Sequence, residues 1–183
     1  AADMLAESMA VTVLVGLEPE DLSCVTDADE ALSRHKFVVA LTPFTSDSLE
    51  RSANLMLPIG TFAETSGTFV NCEGRWQSFA GVANPVGEAR PAWKVLRVLG
   101  NLLDAAGFEY VSTEEIRDEL TETLGDIQPD NAYQGSQSIA RPNGADDPAN
   151  SVDVPIYEVD ALVRRADALQ LTPEALRRRD ETS

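Results

Sequence analysis

The chain has 183 residues, enough for one domain with a real core. Its apolar share of 43% is compatible with a globular domain, and its apolar runs fall far short of the ~18 residues a membrane helix needs. The formal net charge is −17, from 31 acidic and 14 basic residues, which argues against a nucleic-acid interface and against docking on an anionic membrane surface.

In chain order, residues 3–9 read as the last turns of a helix. Val11 to Val15 is a β-branched run ended by Gly16, predicting a buried strand. Asp27 is placed to cap a helix over 28–34, with Glu30 in capping-box position. Phe37 to Leu41 predicts a second strand, stopped before Pro43. Thr45 or Ser46 caps a third helix through Ser52, and Leu55 to Leu57 predicts a third strand. Strands alternating with helices imply parallel pairing with right-handed crossovers.

Further along, Pro91 suits the first position of a helix running to about Ala106, with Gly107 as its stop. Trp93, Leu96, Leu99, Leu103 and Ala106 recur at helical spacing, so Trp93 reads as core rather than as a ligand platform. Ser112 caps the next helix, with Glu115 three residues on and Ile116, Leu120 and Leu124 as its stripe. Residues 125–153 are rich in Gly, Pro, Asn, Asp, Ser and Gln and predict an irregular linker. The domain reading is therefore 1–124 as an α/β domain, 125–153 as linker, and 154–183 as an extended and helical segment. In that last part Val154 to Tyr157 is extended, Asp160 to Ala168 helical, and Pro173 opens a final helix whose Arg177-Arg178-Arg179 form a solvated end.

Cys24 and Cys72 are the only cysteines and His35 the only histidine. Two unpaired thiols are the plain expectation, and neither a zinc nor an iron–sulfur site can be built from them. His35 lies between a helix and a strand and reads as a surface or cap residue. The chain contains no GxSxG, HExxH, GxxxxGK[ST] or GxGxxG pattern, so no catalytic residue is assigned.

The densest stretch runs from Asn54 to Gln77. An apolar run ends at Pro58, a polar segment follows, and Gly67 to Asn71 is β-rich. Cys72-Glu73-Gly74-Arg75 predicts a tight turn with Gly74 in the left-handed region, and Asn71 and Gln77 would flank it with free amides. Gly67, like Gly74, reads as a residue placed for backbone freedom. The physics allows two readings: a structural hairpin with polar residues facing water, or a rim at the end of a sheet where ligands are met.

This pattern, Leu57-Pro58, Glu64-Thr-x-Gly67-Thr68, then Asn71-x-Glu73-Gly74-Arg75-x-Gln77, resembles the molybdopterin oxidoreductase superfamily. Phe79-Ala-Gly-Val82, the segment from Gly87 through Trp93 to Leu103, and Tyr157 to Gln170 are similar to one family within it, the large peripheral-arm subunits of bacterial NADH-quinone oxidoreductase, respiratory complex I. The resemblance covers nearly the whole chain and is weakest over 125–150.

It implies an α/β fold: a three-layer unit with a mostly parallel sheet and flanking helices, of the formate dehydrogenase/DMSO reductase type, plus a β-hairpin and a partly irregular C-terminal segment. It also implies a C-terminal fragment of a longer protein, as does an opening without Met in what reads as mid-helix. The parent would carry 4Fe-4S and 2Fe-2S clusters on upstream cysteine motifs, with none in this fragment. Its partners would be the other peripheral-arm subunits of complex I and the remainder of the large subunit itself. It would lie on the cytoplasmic side of the bacterial inner membrane, peripheral and without direct membrane insertion.

Vestigial pterin-site candidates under the resemblance are Gly16, Glu64, Gly67, Asn71, Glu73 and Arg75. Glu18 departs from the pattern, standing where relatives have an Asn near the cofactor's guanine dinucleotide, and a carboxylate there repels a pyrophosphate. Two alternatives stand beside this reading. One is a fragment of an active molybdopterin-dependent oxidoreductase such as a formate dehydrogenase. The other is a free-standing acidic interaction module.

Overall fold

The structure, a computed structural model, describes residues 2–22, 27–125, 128–132 and 156–182. The chain divides into two compact units, residues 1–131 and 132–183. The expected linker falls largely on 126–127 and 133–153, outside the described residues, as do Cys24 and residues 154–155 of the expected extended piece.

The first unit begins with α1 (Ala2–Ala6), β1 (Thr12–Val15), α2 (Ala28–Ser33), β2 (Val38–Thr42), α3 (Asp47–Ser52) and β3 (Leu55–Pro58). The caps act as local chemistry dictates: Asp27 Oδ1 accepts the Glu30 N–H at 2.8 Å and Ser46 Oγ accepts the Leu49 N–H at 3.3 Å. The strands pair parallel in the order β1-β2-β3, with Thr12 opposite Val38 and Val39 opposite Leu55. The α/β expectation holds.

All five residues of β2 are buried, and alternation splits them between two cores. Val38 and Ala40 pack with Leu5, Leu14, Leu32 and Leu49 under α1, α2 and α3. Val39 and Leu41 pack with Ile59, Leu57, Ala92, Val95 and Leu96 on the opposite face, beneath α4 (Ala92–Leu102). Leu32, Leu41 and Leu49 are fully buried, each worth about 1.5–3 kcal/mol of transfer free energy. The outer strands differ from the sequence reading, which made β1 and β3 buried. Val13, Val15 and Leu55 are 45%, 41% and 43% exposed, because β1 and β3 are the two edges of this sheet.

Beyond β3, Ile59 bridges Arg90 in parallel, and 3-10 turns form at Pro19–Asp21 and Phe62–Glu64. The antiparallel pair β4 (Gly67–Val70) and β5 (Trp76–Phe79) makes the predicted hairpin. Helix α4 ends before its expected stop. Asp104, at φ +52°, takes the left-handed position and Ala105 N–H reaches Gly100 O at 3.0 Å, a Schellman closure ahead of Gly107. Helix α5 (Thr113–Leu124) is capped by Ser112 Oγ, which accepts the Glu115 N–H at 3.2 Å.

The second unit holds a 3-10 turn at Val163–Arg165, α6 (Asp167–Gln170) and α7 (Pro173–Thr182). The single helix expected over 160–168 is broken at Ala166, which is extended at ψ 97°. Val163 O accepts the Ala166 N–H at 3.0 Å in the 3-10 turn, and the buried Gln170 amide donates to the same oxygen at 3.3 Å and to Tyr157 O at 2.8 Å. Among the described residues no helix is long and apolar enough to cross a membrane.

Candidate functional site

The sequence singled out the end of the parallel sheet and the hairpin beyond it. Gly16 closes β1 at φ +62°, its N–H donating to Leu41 O at 2.9 Å. Nothing crowds a Cβ built there, so this glycine answers to backbone conformation and not to a close approach. Glu18 follows and is 3% exposed. It closes a capping box with Asp21, whose Oδ2 accepts the Glu18 N–H at 2.9 Å. The Asp21 carboxylate therefore braces this turn through the Glu18 backbone.

Glu64 sits in the loop after β3. Its Oε2 accepts the Thr61 N–H at 2.8 Å and the Thr61 hydroxyl at 3.0 Å, and its Oε1 accepts the Val86 N–H at 3.1 Å. These bonds, led by the Thr61 amide, hold its carboxyl below the usual carboxylate range. One side chain thus caps its own turn and pins the 82–90 loop beside it.

At the hairpin tip, Asn71 Oδ1 accepts two amides, Glu73 N–H at 3.0 Å and Arg75 N–H at 2.9 Å. Gly74, at φ +83°, completes the turn by donating its N–H to Asn71 O at 3.0 Å. The free amide expected at Asn71 is corrected here: its oxygen builds the turn, as Asn does in Asx turns. Glu73 lies 3.4 Å from Arg75 Nε and accepts the Asn131 amide at 2.8 Å. Asn131 first, then Asn71 and Arg75, keep the Glu73 carboxyl below its ordinary range. Asp130 N–H also donates to Glu73 O at 2.9 Å, so the chain after α5 returns to this tip.

Gly67 is corrected as well. It carries no left-handed angle among the glycines at positive φ. Its missing side chain makes room for Phe79, whose ring a Cβ at Gly67 would meet at 3.0 Å.

The structure brings Asn71, Glu73 and Arg75 into one turn, with Glu64 and Gly67 on the path to it, while Gly16 belongs to the other sheet. A pyrophosphate-bearing pterin needs donors and positive charge. Glu64, Asn71 and Glu73 present acceptors that already hold amide, hydroxyl or guanidinium groups of this chain. The six residues as placed do not fit such a group. Among the described residues no group of three or more His, Cys, Asp or Glu side chains is arranged for a metal ion. Cys72 is an exposed free thiol.

Three features escaped the sequence reading. His35 is buried, with Nδ1 at 2.7 Å from Thr12 Oγ1, and is neither surface residue nor cap. Arg97 donates to Tyr110 O at 2.9 Å, joining α4 to the loop before α5. Trp93 and Trp76 line a cavity of about 340 Å³ between α4, α5 and the hairpin. The helical period at Trp93 signalled an inward face; only the docking of α5 creates the cavity.

Comparisons with known proteins agree with this architecture. The family model for molybdopterin oxidoreductase matches residues 5–102, more than half of the chain. The mitochondrial NADH-ubiquinone oxidoreductase 78 kDa subunit of Candida albicans is 45% identical over 78 residues, covering 42% of this chain and 10% of that protein. Putative formate dehydrogenases of Staphylococcus aureus strains USA300 and N315 are 32% identical over 103 residues, 52% of this chain and 10% of each. The chain thus spans about a tenth of the length of these relatives. With a sheet, hairpin and helix α4 lying inside the matched segment, the chain belongs to the molybdopterin oxidoreductase family.

Proposed function

We propose that this chain is a scaffold segment of the large peripheral-arm subunit, of the 78 kDa type, of a bacterial NADH-quinone oxidoreductase. In this reading the parent complex passes electrons from NADH through 4Fe-4S and 2Fe-2S clusters to quinone, and this segment holds no redox centre of its own. It stabilises the large subunit, and its partners are the remainder of that subunit and the other peripheral-arm subunits, on the cytoplasmic side of the inner membrane.

The carrying observation is the engagement of Glu64, Asn71 and Glu73 by the chain's own donors. These side chains serve the loop and the turn. The 45% identity to the 78 kDa subunit, against 32% to the putative formate dehydrogenases, supports the same choice. The second reading, an active pterin-dependent enzyme of the formate dehydrogenase kind, is favoured by the longer reach of the latter match, 52% of the chain against 42%.

The test is to purify the full-length protein containing this chain, in its native assembly, and to assay reduction of a soluble quinone analogue. NADH-driven reduction that is lost with this protein is the expected result. Formate-driven reduction without NADH activity would replace the first reading by the second.

A further inference from the structure

Helix α5 closes one side of the cavity at Trp76 and Trp93, and it does so with little burial. None of its residues is buried. Ile116 and Leu120 line the cavity, yet Leu120 is 46% exposed and Leu124, one turn on, 55%. Apolar contact this shallow stabilises the docked helix only weakly. Among the described residues, two side-chain hydrogen bonds tie it to the hairpin segment. Thr113 Oγ1 lies 3.0 Å from Ser66 Oγ, and Arg117 Nη1 donates to Ser78 Oγ at 3.4 Å.

Charge opposes these small gains. The helix carries Glu114, Glu115, Asp118, Glu119 and Glu122 with Arg117 as its single cation, and all five acidic residues are exposed. Helical spacing sets 114 beside 118, 115 beside 119 and 118 beside 122, and like charges four residues apart weaken a helix. Glu114 and Glu115 gain from the positive end of the helix dipole, but the last turn holds no basic residue, so Glu122 meets the negative end. Arg117 pairs with Asp118 at 2.7 Å, within the helix itself. Glu115 and Glu119 accept the Val111 N–H and the Tyr110 hydroxyl, neither of which brings a positive charge. The body beneath has the same sign: of the 22 acidic and eight basic side chains in residues 1–131, 17 and seven lie outside α5.

Dissolved ions screen repulsion between exposed charges, over about 10 Å at 0.1 M and about 3 Å at 1 M. Neighbours on a helix face are about 5–6 Å apart, between those two lengths. Added salt therefore removes the force that opposes docking and leaves the apolar contact in place.

We propose that α5 is a latch set by ionic strength. It docks on the hairpin and α4 in concentrated salt and lifts away when ions are dilute, opening the wall beside Trp76 and Trp93.

The test follows amide hydrogen exchange by mass spectrometry in the full-length protein, at about 0.1 M and about 1 M KCl. Peptides from residues 113–124 should exchange roughly tenfold more slowly in the higher salt, the combined relief of several like-charge pairs, with a smaller change in β2 at the centre of the sheet. Glu122→Lys turns the repulsion from Asp118 and Glu119 into attraction. It should slow exchange of α5 in the lower salt and remove most of the salt response. Glu50→Lys, the same charge change on α3, should leave most of that response in place.

Exchange of α5 that is equal or faster in the higher salt would overturn the proposal, as would a slowing of β2 as large as that of α5. An undiminished response in the Glu122→Lys protein would assign the effect to salting-out of apolar surface and overturn it too. So would the same flattening in the Glu50→Lys protein.

Discussion

Phe79 lays its ring across Gly67, its partner on the neighbouring strand, and stacks on Phe69 with ring centroids 5.0 Å apart. The absent side chain at Gly67 is what lets the ring lie down, so an aromatic pair stiffens a hairpin of only four residues per strand. Gly67→Val should displace the Phe79 ring and destabilise the chain by about 1–3 kcal/mol, read as a lower urea midpoint. An unchanged midpoint would show that the ring has no need of this space.

Asn71 offers a sharper separation of structure from ligand. Its oxygen holds two amides of the turn. Asn71→Ala should lose about 1 kcal/mol, and Asn71→Asp, which keeps the acceptor, should retain most of the stability. If the amide nitrogen were the functional group, alanine and aspartate would be equally harmful.

Glu64 makes the pH dependence specific. Its carboxyl is held low in the folded chain by the Thr61 amide, the Thr61 hydroxyl and the Val86 amide. The charged form therefore stabilises the fold above the ordinary glutamate value of about 4.3, and that stabilisation disappears as pH falls through the lower folded value. Glu64→Gln should melt below the wild type at pH 7, with the gap closing on acidification. A constant gap from neutral to acid pH would assign the effect to shape instead of charge.

Gly100 governs the end of α4. It is buried, and a Cβ there would collide with the Phe108 ring. Gly100→Ala would improve an exposed helix by about 1 kcal/mol, yet here it should destabilise by roughly 1–3 kcal/mol through the forced shift of Phe108. Thermal unfolding of the variant decides the sign.

Local chemistry carried the sequence reading far in the first unit. Asp27, Ser46 and Ser112 were legible as caps because a cap is settled by a few neighbouring residues. The parallel sheet followed from apolar runs alternating with short helices. The failures arose where distant groups decide. Gly107 looked like the stop of α4, but Phe108 folding back on Gly100 places the left-handed residue at Asp104. Residues 160–168 had helical period, but Val163 O closes a 3-10 turn with the Ala166 N–H, Ala166 is extended, and α6 starts afresh at Asp167, with the Gln170 amide reaching back to that turn. At the hairpin, Glu73-Gly74 announced the turn, whereas Asn71 carries the same side chain whether it holds a backbone or a ligand. His35 and the groove against α5 depend on tertiary packing that no short window encodes.

The decisive measurement is the cofactor content of the full-length protein, purified from source cells grown with molybdate: molybdenum by mass spectrometry and guanine nucleotide released on denaturation. A rim whose acceptors hold the chain's own backbone predicts that neither is present in stoichiometric amount. Stoichiometric molybdenum together with guanine nucleotide would contradict the scaffold assignment.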